Sequence, residues 1–368
     1  MRIAVLTSHT PSLLRFRLDM MLAFINRGHQ VIAVGNQDEE EWAPTFAEHG
    51  IRYRKVRLSR NSTNPLKDIA TLLDLRRVLK EERPDKIFSY QAKTVIYGTI
   101  AANQLGIREN YPLIAGVGSV FMNNSVKGRL MRSLLSAEYQ YAIRHCPAVF
   151  FQNQDDVETF RSMRILKKQK VVMLRGSGVN LDHFQVQLLP EQFGILCVAR
   201  LIRDKGIIEY LEACKKIKQR HPDVKCMLVG EIDTNPTAIS EEELNTYVEQ
   251  GIVSYYGEQS DVRPYFQQCS VFILPSYREG TPKAVLEAMA SGRAVITTDA
   301  PGCRGTVEDG VNGFLVPVGE VDPIAERVEQ LLQSPERLAE MAVYGRKMAE
   351  EEFDVCKVNR CISDVMGL

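Results

Sequence analysis

Two cations and two carboxylates stand out in the second half of the chain because each lies just beyond a run of strand-forming residues. Arg200 and Lys205 follow one such run, whereas Glu279 and Glu287 follow another. In an open parallel sheet, ligands bind at the carboxyl ends of the strands, so these side chains are expected to face a ligand there. Fixed cations can neutralise a diphosphate, and carboxylates can accept hydrogen bonds from hydroxyl groups.

The segment between the two glutamates predicts the start of a helix. Thr281 is a good N-cap, Pro282 suits the first helical position, and Gly292 ends the helix. Such a start presents backbone N–H groups and a positive dipole end, which suit a diphosphate. We therefore expect Glu279 and Glu287 to bind hydroxyls, one on a ribose and one on a transferred sugar. The alternative is a solvated surface loop and helix.

Several other chemistries are excluded by inspection. The chain has no Gly-Lys dipeptide, and therefore no Walker-type phosphate loop. Its six histidines are scattered, and no two aspartates are separated by a single residue, so no metal-ligand spacing is found. No Gly-x-Ser-x-Gly nucleophile motif occurs. The sequence predicts a reaction that uses no cofactor and no metal.

Both halves alternate between short apolar runs and stretches of helical periodicity, which predicts two doubly wound α/β domains facing a cleft. The predicted helices of the first half include Leu14–Asn26 and Pro65–Glu82. The predicted strands are Ile3–Thr7, Gln30–Val34, Arg52–Val56, Lys86–Ser89, Leu113–Ala115, Val149–Gln152, Gly194–Val198, Lys225–Val229, Val253–Tyr256, Val271–Leu274, Ala294–Thr297 and Gly313–Val316. A polar linker is predicted at Asp182–Gln192, and a last helix opens at Asp354.

The composition is that of an ordinary globular chain, with 45% hydrophobic and 25% charged residues among 368. No apolar run approaches the roughly 18 residues that cross a bilayer, and the apolar N-terminal run is too short for a signal peptide. We therefore expect a cytoplasmic protein. The eight cysteines show no paired spacing, which favours free thiols.

Net charge is zero but unevenly distributed along the chain. Residues 1–185 carry 27 Lys and Arg against 17 Asp and Glu, whereas residues 186–368 carry 19 against 29. A split of +10 and −10 suggests that the first half has an anionic partner. Undirected drift in charge between the two halves is the alternative.

Several motifs together resemble the retaining family-4 glycosyltransferases of the two-domain GT-B fold. They are Gly178-Val-Asn180…Phe184, Arg200…Lys205-Gly206, Glu279-Gly280…Glu287-Ala288, Asp299-Ala-Pro-Gly302 and Asn312-Gly313-Phe314. The resemblance spans essentially the whole chain. It implies transfer of a sugar from a nucleotide-sugar, usually UDP- or GDP-linked, with net retention and no bound metal.

The resemblance also assigns roles to the conspicuous residues. Glu287 is expected to hold the ribose and Glu279 the donor sugar. Arg200 and Lys205 are expected to hold the diphosphate, and with Glu279 they form the expected catalytic set. Further donor contacts are expected from Gly280, Thr281, Lys283, Tyr256 and Gly118.

The first half is similar to a narrower group of bacterial enzymes that assemble capsule, lipopolysaccharide or lipid-linked oligosaccharides. The residues that carry this similarity are Phe16-Arg17, Ser59-Arg60…Asn64-Pro65 and Gly116-Val-Gly118-Ser-Val-Phe121. The group includes transferases of N-acetylgalactosamine onto an undecaprenyl-diphosphate-linked sugar.

The chain departs from the wider family at two places. Gly118 stands where a histidine commonly lines the donor sugar, so backbone contact is expected there. The glycine-rich loop near the first helix is replaced by a basic and aromatic segment. Arg15, Phe16 and Arg17 are therefore expected to bind an anionic lipid-linked acceptor, together with Lys93.

The function that this resemblance implies is transfer of a sugar, an N-acetylhexosamine, from a UDP-sugar to an undecaprenyl-diphosphate-linked saccharide. Residues 1–185 would bind the acceptor, residues 186–350 the nucleotide-sugar, and residues 351–368 would return as a helix to the first domain. Two alternatives remain. One is a UDP-sugar epimerase of similar architecture, and the other is a catalytically silent nucleotide-binding partner subunit.

A peripheral position on the inner face of the cell membrane is also predicted. Arg15 and Arg17 lie beside Leu13, Leu14 and Phe16, and three further cations follow a second apolar segment. The residues of that second region are Val120, Phe121, Met122, Lys127, Arg129 and Arg132. Apolar residues among clustered cations suit contact with an anionic membrane surface. The alternative keeps the cations solvated and buries Phe121 in the core.

Overall fold

The computed structural model describes residues 1–58, 64–117, 121, 125–233 and 237–368, apart from the side chain of residue 127. The chain divides into two compact units. The first unit contains Met1–Ser177 and Val355–Leu368, and the second contains Gly178–Asp354.

The first unit is built on a seven-stranded parallel sheet of order β3-β2-β1-β4-β5-β6-β7. Its strands are Arg2–Leu6 (β1), Gln30–Gly35 (β2), Arg52–Lys55 (β3), Lys86–Tyr90 (β4), Asn110–Ile114 (β5), Ala148–Phe151 (β6) and Lys170–Met173 (β7). Its helices are Pro11–Asn26 (α1), Glu39–Ala47 (α2), Pro65–Glu82 (α3), Thr99–Gln104 (α4), Val126–Ile143 (α5) and Gln154–Ser162 (α6), with a π-helical turn at Thr94–Gly98 before α4.

The second unit has a six-stranded parallel sheet of order β10-β9-β8-β11-β12-β13. Its strands are Gly194–Val198 (β8), Lys225–Val229 (β9), Ser254–Tyr255 (β10), Val271–Leu274 (β11), Ala294–Thr298 (β12) and Gly313–Val316 (β13). Its helices are Ile207–Arg220 (α7), Glu241–Glu249 (α8), Arg263–Gln267 (α9), Lys283–Ala290 (α10), Asp322–Leu332 (α11) and Pro335–Glu352 (α12), and 3-10 turns lie at Arg203–Lys205 and Arg304–Thr306. Helix α13, Val355–Met366, belongs to the first unit.

The predicted α/β class with two doubly wound sheets is confirmed. The central strands, such as β1, β8, β11 and β12, are largely apolar runs because both of their faces are buried. Helix α3 is N-capped by Asn64, whose side chain accepts a hydrogen bond from the Leu66 N–H. Its C-cap is Arg83, directly before Pro84. All eight cysteines are free thiols, as predicted.

The last helix completes the core of the first unit. Val358, Ile362 and Met366 of α13 are buried in the cluster formed by α1 and the sheet. Helix α13 thereby covers apolar surface of the first unit that α1 alone does not cover. The return of the C-terminal helix to the first unit is therefore a packing requirement of that unit.

The boundary between the units differs from the predicted position at residue 185. Val179 and Phe184 are buried in the core of the second unit, and the Arg293 guanidinium donates to the Gln187 and Leu188 carbonyls. The predicted linker is therefore part of the second unit from Gly178 onward.

Two strands differ from the bounds given from the sequence by more than two residues. Strand β5 begins three residues before Leu113, because Pro112 interrupts the apolar run without interrupting the strand. The pairing of β5 with β6 covers only residues 113–114, so the missing N–H of Pro112 costs no ladder bond. Strand β7 is not among the strands bounded from the sequence, since this short strand is only half-buried and carries no apolar alternation.

Candidate active site

The loops after β8 and β11 bring Lys205 and Glu279 into an ion pair. Both side chains are largely buried, with 18% and 13% of their surfaces exposed. The two loops are joined by the Tyr277 N–H and the Ser276 hydroxyl, which donate to the Asp204 carbonyl at 2.9 and 3.1 Å. Since β8 and β11 flank the point where the strand order reverses, the pair lies where doubly wound sheets bind ligands.

Two glycines permit this close approach of the loops. Gly206 has a φ of 70°, and a Cβ atom there would lie 2.0 Å from the Pro275 carbonyl oxygen. Gly302 has a φ of 81°, and its Cβ would lie 2.2 Å from the Glu279 carbonyl oxygen. The Glu279 N–H also donates to the Pro301 carbonyl at 2.9 Å. The loop that ends at Gly302 therefore positions the backbone of Glu279.

Arg200 lies two residues beyond β8, and its guanidinium forms an ion pair with Asp233. The Arg200 side chain is 35% exposed, so it remains accessible to a ligand. Gly230 allows the loop beyond β9 to come close, because a Cβ there would lie 1.8 Å from the Ala199 carbonyl oxygen. Sequence reasoning missed Asp233, although an acidic residue just beyond the strand next to β8 was a usable signal.

Glu287 lies on α10 and is largely buried, with 13% of its side chain exposed. Its Oε1 atom lies 3.8 Å from the Lys283 ammonium, one helical turn earlier. Burial raises the pKa of Glu287 to about 7, against the opposing effect of Lys283. The alternative of a solvated Glu287 on a surface helix is wrong.

The helix start differs by one residue from the prediction. Pro282 is the N-cap of α10, with an extended ψ of 108°, and Lys283 is the first helical residue. The Pro282 carbonyl accepts a hydrogen bond from the Val285 N–H at 3.1 Å. Thr281 therefore precedes the cap, because the proline ring fixes a φ that also suits the cap position. Gly280, Thr281 and Lys283 lie together at this helix N-terminus.

Tyr256 lies at the same sheet edge, but at the end of the outermost strand, β10. Its ring is tilted against the ring of Tyr265, with 4.8 Å between the ring centroids. Its N–H donates to the Leu228 carbonyl at 3.0 Å. The structure therefore places Tyr256 two strands away from β8, with an aromatic neighbour that the sequence did not suggest.

The predicted acceptor residues of the first unit occupy different environments. Arg15 is exposed and Phe16 is 40% exposed, whereas Arg17 is only 2% exposed. Lys93 forms an ion pair with Asp68 at 2.5 Å, and both side chains are largely buried. These candidates therefore do not form one exposed basic surface.

Part of the predicted membrane contact is contradicted by burial. Leu13, Arg17 and Phe121 are at most 5% exposed. In α1 the helical period places Leu13 and Arg17 on the face that packs on the sheet. Arg132 is half-buried and donates to the Phe121 carbonyl at 3.2 Å. Gly118, Val120, Met122 and the side chain of Lys127 lie outside the described residues.

The first sheet also carries a polar network at its switch point, between β1 and β4, which the sequence did not reveal. The Ser12 hydroxyl lies 2.7 Å from the Tyr90 hydroxyl and 3.0 Å from the Thr7 hydroxyl. Gln91 accepts from Thr7 at 3.0 Å and from the Ser8 N–H at 2.9 Å. The only signal for this network in the sequence was a hydroxyl residue at the end of each central strand, Thr7 after β1 and Tyr90 as the last residue of β4.

Two searches of the described residues gave negative results. No helix within them is both long enough and apolar enough to span a membrane. No group of three or more His, Cys, Asp and Glu side chains among them is arranged to hold a metal ion.

Comparison with solved structures identifies the class of fold. The crystal structure of Anabaena HepE in complex with UDP and glucose superposes with a TM-score of 0.78, covering 100% of this chain and 99% of that one at 19% identity. The chain therefore has the GT-B fold of two Rossmann-like units.

Sequence comparison identifies the family. Residues 179–348 match the family "Glycosyl transferases group 1", and residues 15–175 match the "Glycosyl transferase 4-like domain". These two matches together cover residues 15–175 and 179–348, so the chain belongs to the group 1 glycosyltransferases. The predictions of the GT-B family and of a hexosyltransferase are confirmed.

Two curated relatives cover most of the chain. The N,N'-diacetylbacillosaminyl-diphospho-undecaprenol alpha-1,3-N-acetylgalactosaminyltransferase of Campylobacter jejuni is 29% identical over an alignment of 347 residues, and the match covers 90% of each chain. A capsular polysaccharide biosynthesis glycosyltransferase of Staphylococcus aureus is 27% identical over 318 residues, covering 78% of this chain and 80% of that one.

Proposed function

We propose that this glycosyltransferase moves an N-acetylhexosamine from a UDP-sugar to an undecaprenyl-diphosphate-linked saccharide, with retention and without a metal ion. The observation that carries the proposal is the Lys205–Glu279 pair at the switch point of the second sheet, with Arg200 beyond the same strand as Lys205. The name of the Campylobacter relative supports the sugar and the acceptor. The ligands of Anabaena HepE support UDP as the nucleotide.

The proposed reaction breaks the bond between the anomeric carbon and the diphosphate oxygen. Negative charge then develops on the diphosphate, and Arg200 and Lys205 stabilise it together with the N-terminus of α10. The acceptor hydroxyl forms the new bond to the anomeric carbon, and its proton passes to the leaving diphosphate. Preorganised cations supply the stabilisation that a divalent ion supplies in other transferases.

The carboxylates take the remaining contacts in this proposal. Glu287 accepts hydrogen bonds from the ribose hydroxyls, and Glu279 accepts from hydroxyls of the donor sugar. Because Lys205 already neutralises Glu279, the donor is bound without leaving an uncompensated carboxylate beside its diphosphate. The ion pair therefore holds both side chains in place before the donor arrives.

A transfer assay tests this function. The purified chain is incubated with a panel of UDP- and GDP-sugars and a synthetic undecaprenyl-diphosphate-linked saccharide, with and without excess EDTA. We expect an extended lipid-linked product with the anomeric configuration of the donor, formed equally well in EDTA. A new UDP-sugar made without acceptor would indicate an epimerase, and UDP binding without turnover would indicate a silent subunit.

We also propose that the first unit works at an anionic membrane surface, through apolar residues other than those first expected. Helix α5 exposes large apolar side chains one turn apart: Val126, Leu130 and Leu134 are 75%, 74% and 56% exposed. Exposed leucines in such a row are uncommon on a soluble surface. Arg129 is exposed on the same helix, so shallow insertion and headgroup attraction are available together.

Helix α3 carries a second stripe of the same kind. Leu66, Ile69 and Leu73 are 76%, 54% and 57% exposed. Helices α3 and α5 both pack against the π-helical turn at Thr94–Gly98. The hydroxyl of Tyr97 in this turn donates a hydrogen bond to Glu138 of α5 at 3.3 Å. The two stripes therefore belong to neighbouring helices of one unit.

Vesicle flotation tests the membrane proposal. The double variant Leu130→Gln/Leu134→Gln should lose binding to anionic vesicles, and Arg129→Glu should weaken it more at low salt than at high salt. Val343→Gln is the control, because Val343 is 68% exposed on α12 of the second unit. Equal binding of wild type to neutral and anionic vesicles, or unchanged binding of the leucine variant, would contradict the proposal.

A further inference from the structure

Arg17 is a buried cation whose guanidinium lacks a full set of hydrogen bonds. Its residue surface is 2% exposed, and its Nε atom has no hydrogen-bond partner. The guanidinium carbon lies 5.1 Å from the ring centre of Tyr90 and 5.6 Å from that of Phe88. These two rings supply cation–π attraction, which does not replace the hydrogen bond that the Nε atom lacks.

Arg293 shows how a buried arginine is satisfied in the same chain. Its side chain is fully buried in the second unit. Its guanidinium donates to four backbone carbonyls at 2.8 to 3.2 Å, those of Phe266, Gln187, Gly292 and Leu188. Arg17 has no such set among the described residues, although burial of an unsatisfied charged group is unfavourable. Something outside the described chain is therefore needed to balance it.

The position of Arg17 is that of a ligand site. Tyr90 ends β4, which pairs with β1 at the point where the order of the first sheet reverses. Gln91 follows with a φ of 72°, a left-handed conformation that is unfavourable for a residue with a side chain. The doubly wound fold places ligands at this edge, and backbone strain is common beside such sites.

The neighbouring polar groups hold Tyr90 rather than Arg17. The Tyr90 hydroxyl bonds with Ser12 at 2.7 Å, and Ser12 in turn bonds with Thr7 at 3.0 Å. The network is therefore satisfied internally and keeps the ring of Tyr90 against the guanidinium. Burial lowers the pKa of Arg17 to about 10, which still leaves it charged at neutral pH.

We propose that Arg17 binds a phosphate group of the acceptor at the switch point of the first sheet. A phosphate supplies the negative charge and the acceptor oxygens that the surroundings of Arg17 lack, and the planar guanidinium can bind two of these oxygens at once. The identity of the ligand rests on the proposed function, in which the acceptor carries a diphosphate. The diphosphate of UDP is the other source of the same chemistry.

The test uses farnesyl diphosphate as a soluble stand-in for the acceptor's lipid diphosphate and UDP as the competing source. Calorimetry on Arg17→Met should show at least a tenfold loss of affinity for farnesyl diphosphate and unchanged affinity for UDP. Arg17→Lys should bind farnesyl diphosphate with intermediate affinity, since it keeps the charge but loses the planar fork. In the transfer assay, Arg17→Met should raise the KM for the acceptor and leave the KM for the donor unchanged.

Thermal unfolding distinguishes this role from a structural one. Without ligand, Arg17→Met should unfold at the wild-type temperature or above it, because the variant removes an unsatisfied buried charge. Arg293→Met should unfold at a clearly lower temperature, because it leaves four carbonyls without their donor, and two of those hydrogen bonds are buried. Together these results would separate a ligand-binding arginine from one that holds the fold.

Three results would overturn the proposal. The first is a large drop in the unfolding temperature of Arg17→Met with farnesyl diphosphate binding retained. The second is loss of UDP binding in place of farnesyl diphosphate binding. The third is a wild-type protein that binds no farnesyl diphosphate. Failure of the proposed function looks different: wild type would bind farnesyl diphosphate through Arg17 and still transfer no sugar.

Discussion

The Lys205 ammonium and the Glu279 carboxylate neutralise each other across the switch point of the second sheet. The sequence suggested two separate contacts, one with a diphosphate and one with a sugar. Because the two side chains are paired and largely buried, each determines the position and the electrostatic environment of the other. Their contributions to stability and to activity should therefore not be additive.

The first prediction concerns this coupling. Lys205→Ala should lower the free energy of unfolding by about 1–3 kcal/mol, because it removes the cation that faces the largely buried Glu279 carboxylate. The double variant Lys205→Ala/Glu279→Gln should recover part of that loss, whereas all variants should lose roughly 10–100-fold in turnover. Urea denaturation and the transfer assay measure the two effects.

Lys216→Ala is the control for this experiment, since Lys216 forms an exposed ion pair with Asp322. Exposed pairs contribute about 0–1 kcal/mol, so its stability and turnover should stay close to wild type. A double variant less stable than Lys205→Ala alone would show that the pair is not what couples the two residues.

The second prediction concerns Asp233, which occupies the guanidinium of Arg200. Arg200→Ala should weaken UDP binding by roughly 10–100-fold, in line with the loss of one charge-assisted hydrogen bond. Asp233→Asn should strengthen UDP binding, because the diphosphate no longer competes with a carboxylate. Calorimetry with UDP decides the matter, and Asp261→Asn, which breaks an exposed pair with Arg263, is the control. If Asp233→Asn weakens binding as much as Arg200→Ala, Asp233 positions the arginine instead.

The third prediction is a pH dependence that originates at Glu287. Burial raises its pKa from 4.5 to about 7, so the folded chain keeps a proton that the unfolded chain releases at lower pH. The free energy of unfolding of wild type should therefore fall between about pH 5 and pH 8, relative to Glu287→Gln, by about 1–3 kcal/mol. Denaturation of both proteins across this range measures the difference.

The same carboxyl should make UDP binding depend on pH. Ribose hydroxyls donate more strongly to the charged carboxylate, so UDP affinity should rise between about pH 6 and pH 8. Titration of the UDP phosphate affects wild type and Glu287→Gln alike, and the difference between the two isolates Glu287. Identical pH profiles for UDP binding would mean that Glu287 does not contact the nucleotide.

Much of the fold could be predicted because its signals are local. Continuous apolar runs such as Val271–Leu274 are typical of strands buried on both faces. Gly28 and Pro84 mark the ends of α1 and α3, the helices that precede these two residues. The two cations and Glu279 could be found for the same reason, since each lies within a few residues of the end of a recognisable strand, and Glu287 lies on the helix that follows. Strand order then brings three of them to one switch point.

The remainder depends on contacts that are distant in sequence. The helical period of α1 places Arg17 on the buried face, but its residue type argues against burial because charged residues are ordinarily exposed. The rings that cover it come from β4, which is distant in sequence. The pairing of Arg200 with Asp233 joins loops more than 30 residues apart. The sequence prediction placed Pro282 one position too far into α10. The ψ angle of Pro282 excludes it from the helix, and this angle follows from packing rather than from residue type.

The last prediction tests whether the backbone around Glu279 is held by close contact. Gly302→Ala places a Cβ 2.2 Å from the Glu279 carbonyl oxygen and 2.5 Å from that of Gly280, at a φ of 81° that alanine disfavours. Neither carbonyl can move without shifting the loop that carries Glu279, so turnover should fall by at least about tenfold and the unfolding temperature by several degrees. Gly305→Ala is the matched control, since a Cβ there meets nothing within 4 Å, and it should behave as wild type. Wild-type turnover in Gly302→Ala would show that this contact does not determine the position of Glu279.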